Sequence, residues 1–135
     1  MFKTLSLNEA CQEQHEMVIK KGFTRQPIAT DLMLIVTELG EACEADRKNR
    51  HADYYEFVRA LERIGELTKQ SGADPERAFK AAFEVHIKDT FEDEIADAFL
   101  RLMDLCGAMD IDIEEHIRMK AEYNKLRPPK HGKDY

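Results

Sequence analysis

Glycine and proline are scarce in this chain, six and four among 135 residues, and with them go most of the turns that a strand-rich fold requires. No run alternates apolar and polar residues between turn signals, so no strand is expected. The longest strictly apolar run is "LMLIV", residues 32–36, far too short to cross a bilayer. The first twenty residues contain no continuous apolar segment of the signal-peptide kind, so no leader is expected. Three cysteines, Cys11, Cys43 and Cys106, fit neither a zinc pattern nor a disulfide framework and read as reduced thiols of a cytoplasmic protein. There is no glycine-rich phosphate loop. A formal charge of −7 argues against a partner that is a nucleic-acid polymer.

What remains is an ordinary globular composition, 43% apolar and 35% charged, rich in the helix formers Ala, Leu, Glu and Lys. The length suits a single domain spanning residues 1–135. The pattern predicts an all-α bundle of five to six helices. The first runs from Ser6 or Asn8 to Lys21 and stops at Gly22. The second is capped by Thr30 or Asp31 and continues to Arg50. A third starts near Asp53 and ends at "SG". The fourth opens on Asp74–Pro75, a cap followed by the residue best tolerated at the first helical position. Asp89 and Glu92 have capping-box spacing before a fifth helix to about Met109. The sixth opens at Asp112, with Glu115 three residues on, and closes at "RPP".

Two helices carry acids where packing residues belong. Glu38 and Glu41, in "TELGEACEAD", lie three residues apart among Leu34, Ile35, Ala42 and Ala45. Glu94 and Asp97, in "EDEIADAF", share a strip with Phe91, Ala98 and Leu105. Residues three apart on a helix sit about 5–6 Å apart at Cβ. The acids are therefore either solvated surface, helped at Glu92 and Asp93 by the helix dipole, or gathered around something positive. If the helices pack, each close carboxylate pair repels by ~4 kcal/mol at 4 Å and an effective dielectric of 20. Such a cluster takes up protons or holds cations. Oxygen-only ligands select Mg²⁺ or Mn²⁺ over zinc. A di-iron bundle would need Glu-x-x-His, which the sequence lacks.

Charge is also uneven along the chain. Residues 120–135 carry a net +3 and the rest −10, so a basic segment follows an acidic body. That segment is either a solvated tail or an anion-binding arm.

Paired "E-x-x-E" and "E-x-x-D" on two helices of an all-α domain, followed by "KAEYNKLRPPKHGK", resemble the MazG-like nucleoside triphosphate pyrophosphohydrolases. The resemblance implies that Glu38, Glu41, Glu94 and Asp97 hold Mg²⁺, with Mn²⁺ as a substitute. Glu41 or Glu44 would take the proton of the attacking water, and Lys120, Asn124, Arg127 and Lys130, with Lys133 beyond them, would approach the phosphates. It implies hydrolysis of a nucleoside triphosphate, a dNTP or non-canonical nucleotide, to monophosphate and pyrophosphate, by a homodimer or larger homo-oligomer away from any membrane. Two features depart from the family. Thr37 stands where its first motif usually has a glutamate, and 52 residues separate Glu41 from Glu94. Residues 50–88 read as an inserted helical pair whose Tyr54, Tyr55 and Phe57 belong to a core or a subunit contact. Arg101, one turn past Asp97, is expected to pair with Asp97 or Asp104. His15 and Phe23 read as core or surface residues, or as contacts to a base. The competing classes are a helical module that binds a basic protein surface through its acidic strips, and a metal-binding scaffold without turnover.

Overall fold

The computed structural model describes residues 5–72 and 74–132, which leaves Lys133 outside the described residues. Six helices follow one another: α1 Leu7–Lys20, α2 Ile28–Arg47, α3 Tyr54–Ser71, α4 Pro75–His86, α5 Phe91–Ala108 and α6 Ile113–Lys125. A short 3₁₀ turn, Pro129–Gly132, comes last. Among the described residues there is no strand, and no helix is long and apolar enough to cross a membrane. The all-α expectation holds, and α3 and α4 are the two helices of the 50–88 segment.

Local chemistry explains most helix ends. Ser6 and Glu9 form a reciprocal capping box at the start of α1, Asp74 caps α4 ahead of Pro75, and Asp112 caps α6. Two starts differ from the sequence reading. α2 begins at Ile28, directly after Pro27, which puts Thr30 and Asp31 inside its first turn; there Asp31 meets the positive end of the helix dipole. It ends at Arg47 because Asn49 adopts a left-handed backbone (φ 53). The Asp89/Glu92 box does not form. Asp89 has φ 59, whereas a capping residue needs extended backbone. Thr90 takes the position directly before α5, its hydroxyl accepting from the Asp93 amide at 3.4 Å. Glu92 instead accepts from the Ala52 amide at 2.8 Å.

The chain forms two compact units. One holds the residues up to Ile28 and those from Leu102 onward; the other is Ala29–Arg101. In the first, α1 is stitched to the start of α6. The Leu7 amide donates to Glu114 at 2.8 Å and the Asn8 side chain to Asp112 at 2.8 Å. Buried Cys11 and Cys106 sit where α1 crosses the end of α5. Burial raises both thiol pKa values, and Cys106 adds to the effect on Cys11. The crossing is so close that a Cβ on Gly107 would lie 2.4 Å from the Cys11 carbonyl oxygen, so only glycine fits there.

In the second unit, Ala42 and Ala45 of α2 and Ala98 of α5 are buried, and the two helices meet where Arg101 donates to Glu38. The α3–α4 pair is held by edge-on and stacked contacts among Phe57, Phe79 and Phe83. The Asp53 amide also donates to the His86 carbonyl at 3.0 Å, closing the base of the hairpin.

Candidate metal centre

Within the second unit, the buried stripe of α2 reads Ile35, Glu38, Ala42, Ala45, at helical spacings of three, four and three. Glu38 thus occupies a packing position, only 8% exposed. On α5, Glu94 is 7% exposed and lies one turn before buried Ala98. Glu41 stands one turn beyond Glu38 at the exposed edge. One carboxylate oxygen each from Glu38, Glu41 and Glu94 falls within 4.8 Å of the other two. Three of the four acids that the sequence placed on two strips converge.

The electrostatics reflect that convergence. Burial, reinforced by the fields of Glu41, Asp93, Glu38 and Asp97, pushes the Glu94 carboxyl up to about 7. Asp97 is exposed and outside the three-oxygen group. Partial desolvation and the neighbouring Asp93 and Glu38 still raise it, while Arg101 pulls the other way. Asp93, read in the sequence only as a helix-start acid, is therefore part of the same field. Its spacing of four from Asp97 is the signal that identifies it. Asp89, Asp93 and Glu94 form a second close group, but its charge has local partners. Lys88 pairs with Asp89 at 2.6 Å, and Asp93 accepts from the Asp89 amide at 2.9 Å.

Arg101 finds its partner across the helices. Its Nε donates to Glu38 Oε1 at 2.6 Å. The hydrogen bond therefore goes to Glu38, not to Asp97 or Asp104, because the α2–α5 packing brings Glu38 within reach. Asp104 is engaged with His15 Nδ1 at 2.8 Å.

Glu44 is differently placed from Glu41. Arg47 binds it at 2.8 Å and Lys48 at 2.8 Å, and these contacts, Arg47 foremost, hold its carboxyl at about 2. A carboxylate held so strongly ionised is a poor proton acceptor at neutral pH. Glu41 has no hydrogen bond or ion pair to a described side chain, and neither does the Glu94 carboxylate.

The donor set fits a hard divalent cation. It offers oxygen atoms alone, which suits Mg²⁺ or Mn²⁺. Among the described residues it holds an excess of negative charge over one guanidinium, and two of its three converging carboxylates have no proton donor. The resulting repulsion, visible in the raised Glu94, is what a cation would relieve.

The predicted phosphate-binding residues belong to the other unit. Lys120 and Asn124 line one hollow of about 560 Å³ with Ile113, His116, Ile117 and Ala121. The Lys120 ammonium lies 4.9 Å from the centre of the Tyr123 ring. Arg127 follows the end of α6, its amide donating to the Asn124 carbonyl at 3.2 Å. Lys130 sits in the 3₁₀ turn with φ 53. His15 is committed to Asp104, and Phe23 is exposed.

Compared with protein-family models, with curated proteins and with solved structures, the chain matches none.

Proposed function

We propose that the acids of α2 and α5 hold Mg²⁺ or Mn²⁺, and that the protein hydrolyses a nucleoside triphosphate to its monophosphate and pyrophosphate. The observation that carries this reading is the meeting of Glu38, Glu41 and Glu94 oxygens within 4.8 Å, in paired motifs whose order resembles that of the MazG-like enzymes. Bound there, the ion would neutralise phosphate charge and acidify water. Glu38 and Glu94, fixed by burial, give the site its position. Glu41, exposed and without a partner among the described side chains, is the better placed of the two candidates to accept the proton of the attacking water. The water oxygen bonds to phosphorus, and the anhydride oxygen leaves with pyrophosphate. Lys120, Asn124, Arg127 and Lys130 are assigned to the phosphates on the resemblance alone. Arg would act as a two-pronged donor and Lys as a point charge.

Release of pyrophosphate from a panel of standard and modified nucleoside triphosphates, with and without Mg²⁺, tests the proposal. Metal-dependent release of pyrophosphate with the matching monophosphate is expected; no turnover of any member in either ion would end it. The Arg101–Glu38 pair favours a second reading, in which the strip recognises guanidinium groups of a basic protein surface. A protein that binds Arg-rich peptides but releases no pyrophosphate would support that instead.

A further inference from the structure

Arg101 uses one N–H of a side chain that carries several. Nε donates to Glu38 Oε1 at 2.6 Å, and among the described residues neither terminal amino group has a hydrogen-bond or ion-pair partner. An arginine that serves only to neutralise a carboxylate commonly closes on it as a fork, with two parallel N–H bonds to the two oxygens. Here one prong is used. Glu94, Asp97 and Arg101 follow one another at spacings of three and four, which puts them on one strip of α5. The guanidinium is close enough to the acids for its field to draw the Asp97 carboxyl down, against the desolvation and neighbouring carboxylates that raise it. Glu38 is buried and the arginine side chain nearly half exposed. The arginine is thus anchored on a buried carboxylate while much of it meets solvent.

We propose that Arg101 is a phosphate-binding residue of this centre: Nε holds Glu38, and the terminal amino groups donate to a phosphate or pyrophosphate group that a bound metal ion brings to the acids. This role rests on the reading of the acids as a metal centre. Mg²⁺ held by a few carboxylates completes its shell with water and phosphate oxygens, so the anion that arrives with the ion is a phosphate. Near Glu38, Glu41, Glu94 and Asp97 that anion is repelled by every carboxylate charge the metal leaves unneutralised. The two helices that carry these acids hold two cationic residues within their bounds, Arg47 and Arg101, and Arg47 is committed to Glu44. Arg101 is therefore the cation those helices offer. Its planar fork matches a pair of phosphate oxygens, and it stays charged across the physiological pH range. The same residue then acts in opposite senses. With the ion alone, two cations draw on one Glu38 carboxylate and repel each other. With a phosphate bound, the anion offsets both charges and engages the unused donors.

Calorimetry on the full chain tests this with Mg²⁺ alone and with inorganic pyrophosphate at saturating Mg²⁺. The parent is expected to bind both. Arg101→Met should weaken pyrophosphate binding about tenfold or more, while Mg²⁺ alone binds no more weakly than in the parent. Arg101→Lys, which keeps a point charge but not the fork, should show a smaller loss. If Arg101→Met does not fold, Arg101→Lys decides alone, by weakening pyrophosphate but not Mg²⁺. Pyrophosphate binding that neither substitution weakens overturns the role of Arg101 and leaves the metal centre standing, as does a parent that binds Mg²⁺ and no pyrophosphate. Equal losses of both ligands in Arg101→Met overturn it too, since Arg101 would then act on Glu38 alone. A parent that binds neither ligand overturns the metal reading along with it. Neither measurement needs nucleotide turnover, so the result stands apart from the hydrolysis assay.

Discussion

Arg101 reaches from α5 to Glu38 on α2 and donates to its carboxylate at 2.6 Å, with the glutamate side chain 11% and the arginine 43% exposed. One guanidinium thereby stands where a divalent cation would compete for the same oxygen. Replacing Arg101 with Met removes the competitor and keeps the side chain's apolar length. We expect the dissociation constant for Mg²⁺, measured by calorimetry, to fall about three- to tenfold, less than the ~1.5–3 kcal/mol of a full charge-assisted hydrogen bond because the arginine is partly solvated. Unchanged or weaker Mg²⁺ binding would show that Arg101 and the ion do not share Glu38.

Glu94 makes the site pH-sensitive. Its carboxyl is raised from 4.5 to about 7, so the folded state holds this proton longer than the unfolded chain does. Its contribution to stability is fully present below the unfolded pKa and is lost as pH rises through about 7. In metal-free buffer, Glu94→Gln should therefore match the parent near pH 4.5 and exceed it at pH 8 by on the order of 1–3 kcal/mol in urea unfolding. A cation must displace that proton, so apparent Mg²⁺ affinity should climb about tenfold between pH 6 and pH 8. A flat affinity profile across that range would contradict the assignment of Glu94 as a ligand.

The geometry ranks the acids. Glu38, Glu41 and Glu94 contribute the converging oxygens, while Asp97 stands one turn on. Glu38→Gln and Glu94→Gln are expected to abolish the rise in Tm that Mg²⁺ produces by binding the folded state alone, and to lower kcat/KM more than a hundredfold. Asp97→Asn should cost about tenfold, the scale of residues that support metal ligands without being in the central set. Equal losses at all four positions would place Asp97 among the ligands.

Lys120 and Arg127 are the basic residues whose removal should matter most. Losing one charge-assisted hydrogen bond to phosphate costs ~1.5–3 kcal/mol, which corresponds to about ten- to a hundredfold in kcat/KM. Lys120→Ala and Arg127→Ala should each show that loss, and the loss should be larger for triphosphates than for diphosphates. Unaltered kinetics in both variants, and in a chain truncated after Arg127, would reduce the basic segment to a solvated tail.

The sequence made the helices legible because their signals are local. Ser6 with Glu9, Asp74 with Pro75, and Asp112 with Glu115 each act within one turn, so spacing alone locates them. The convergence of Glu38, Glu41 and Glu94 was legible for a related reason: acids embedded in an apolar stripe go wherever the stripe packs. Where backbone conformation or tertiary contact decides, spacing misleads. Asp89 and Glu92 have the interval of a capping box, but the left-handed backbone at Asp89 forbids it, and the amide of Ala52, between α2 and α3, claims the Glu92 carboxylate. Arg101 was expected to pair on its own helix, yet its hydrogen-bond partner lies 63 residues away in sequence. Arg47 and Lys48 follow Glu44 by three and four residues, but that both close on it is a matter of side-chain geometry.

The three cysteines differ in a way that gives the protein a built-in handle. Cys11 and Cys106 are buried, with thiols made less acidic by that burial, whereas Cys43 is exposed. Thiolates are the reactive species, so a maleimide reagent under native conditions has one site to modify. Two residues along α2 is about 200° of helical rotation, so a dye on Cys43 sits on the opposite side of that helix from Glu41. The unaltered chain thus accepts a single fluorophore at a defined place beside the acids without covering them, and denaturation exposes two further thiols for counting.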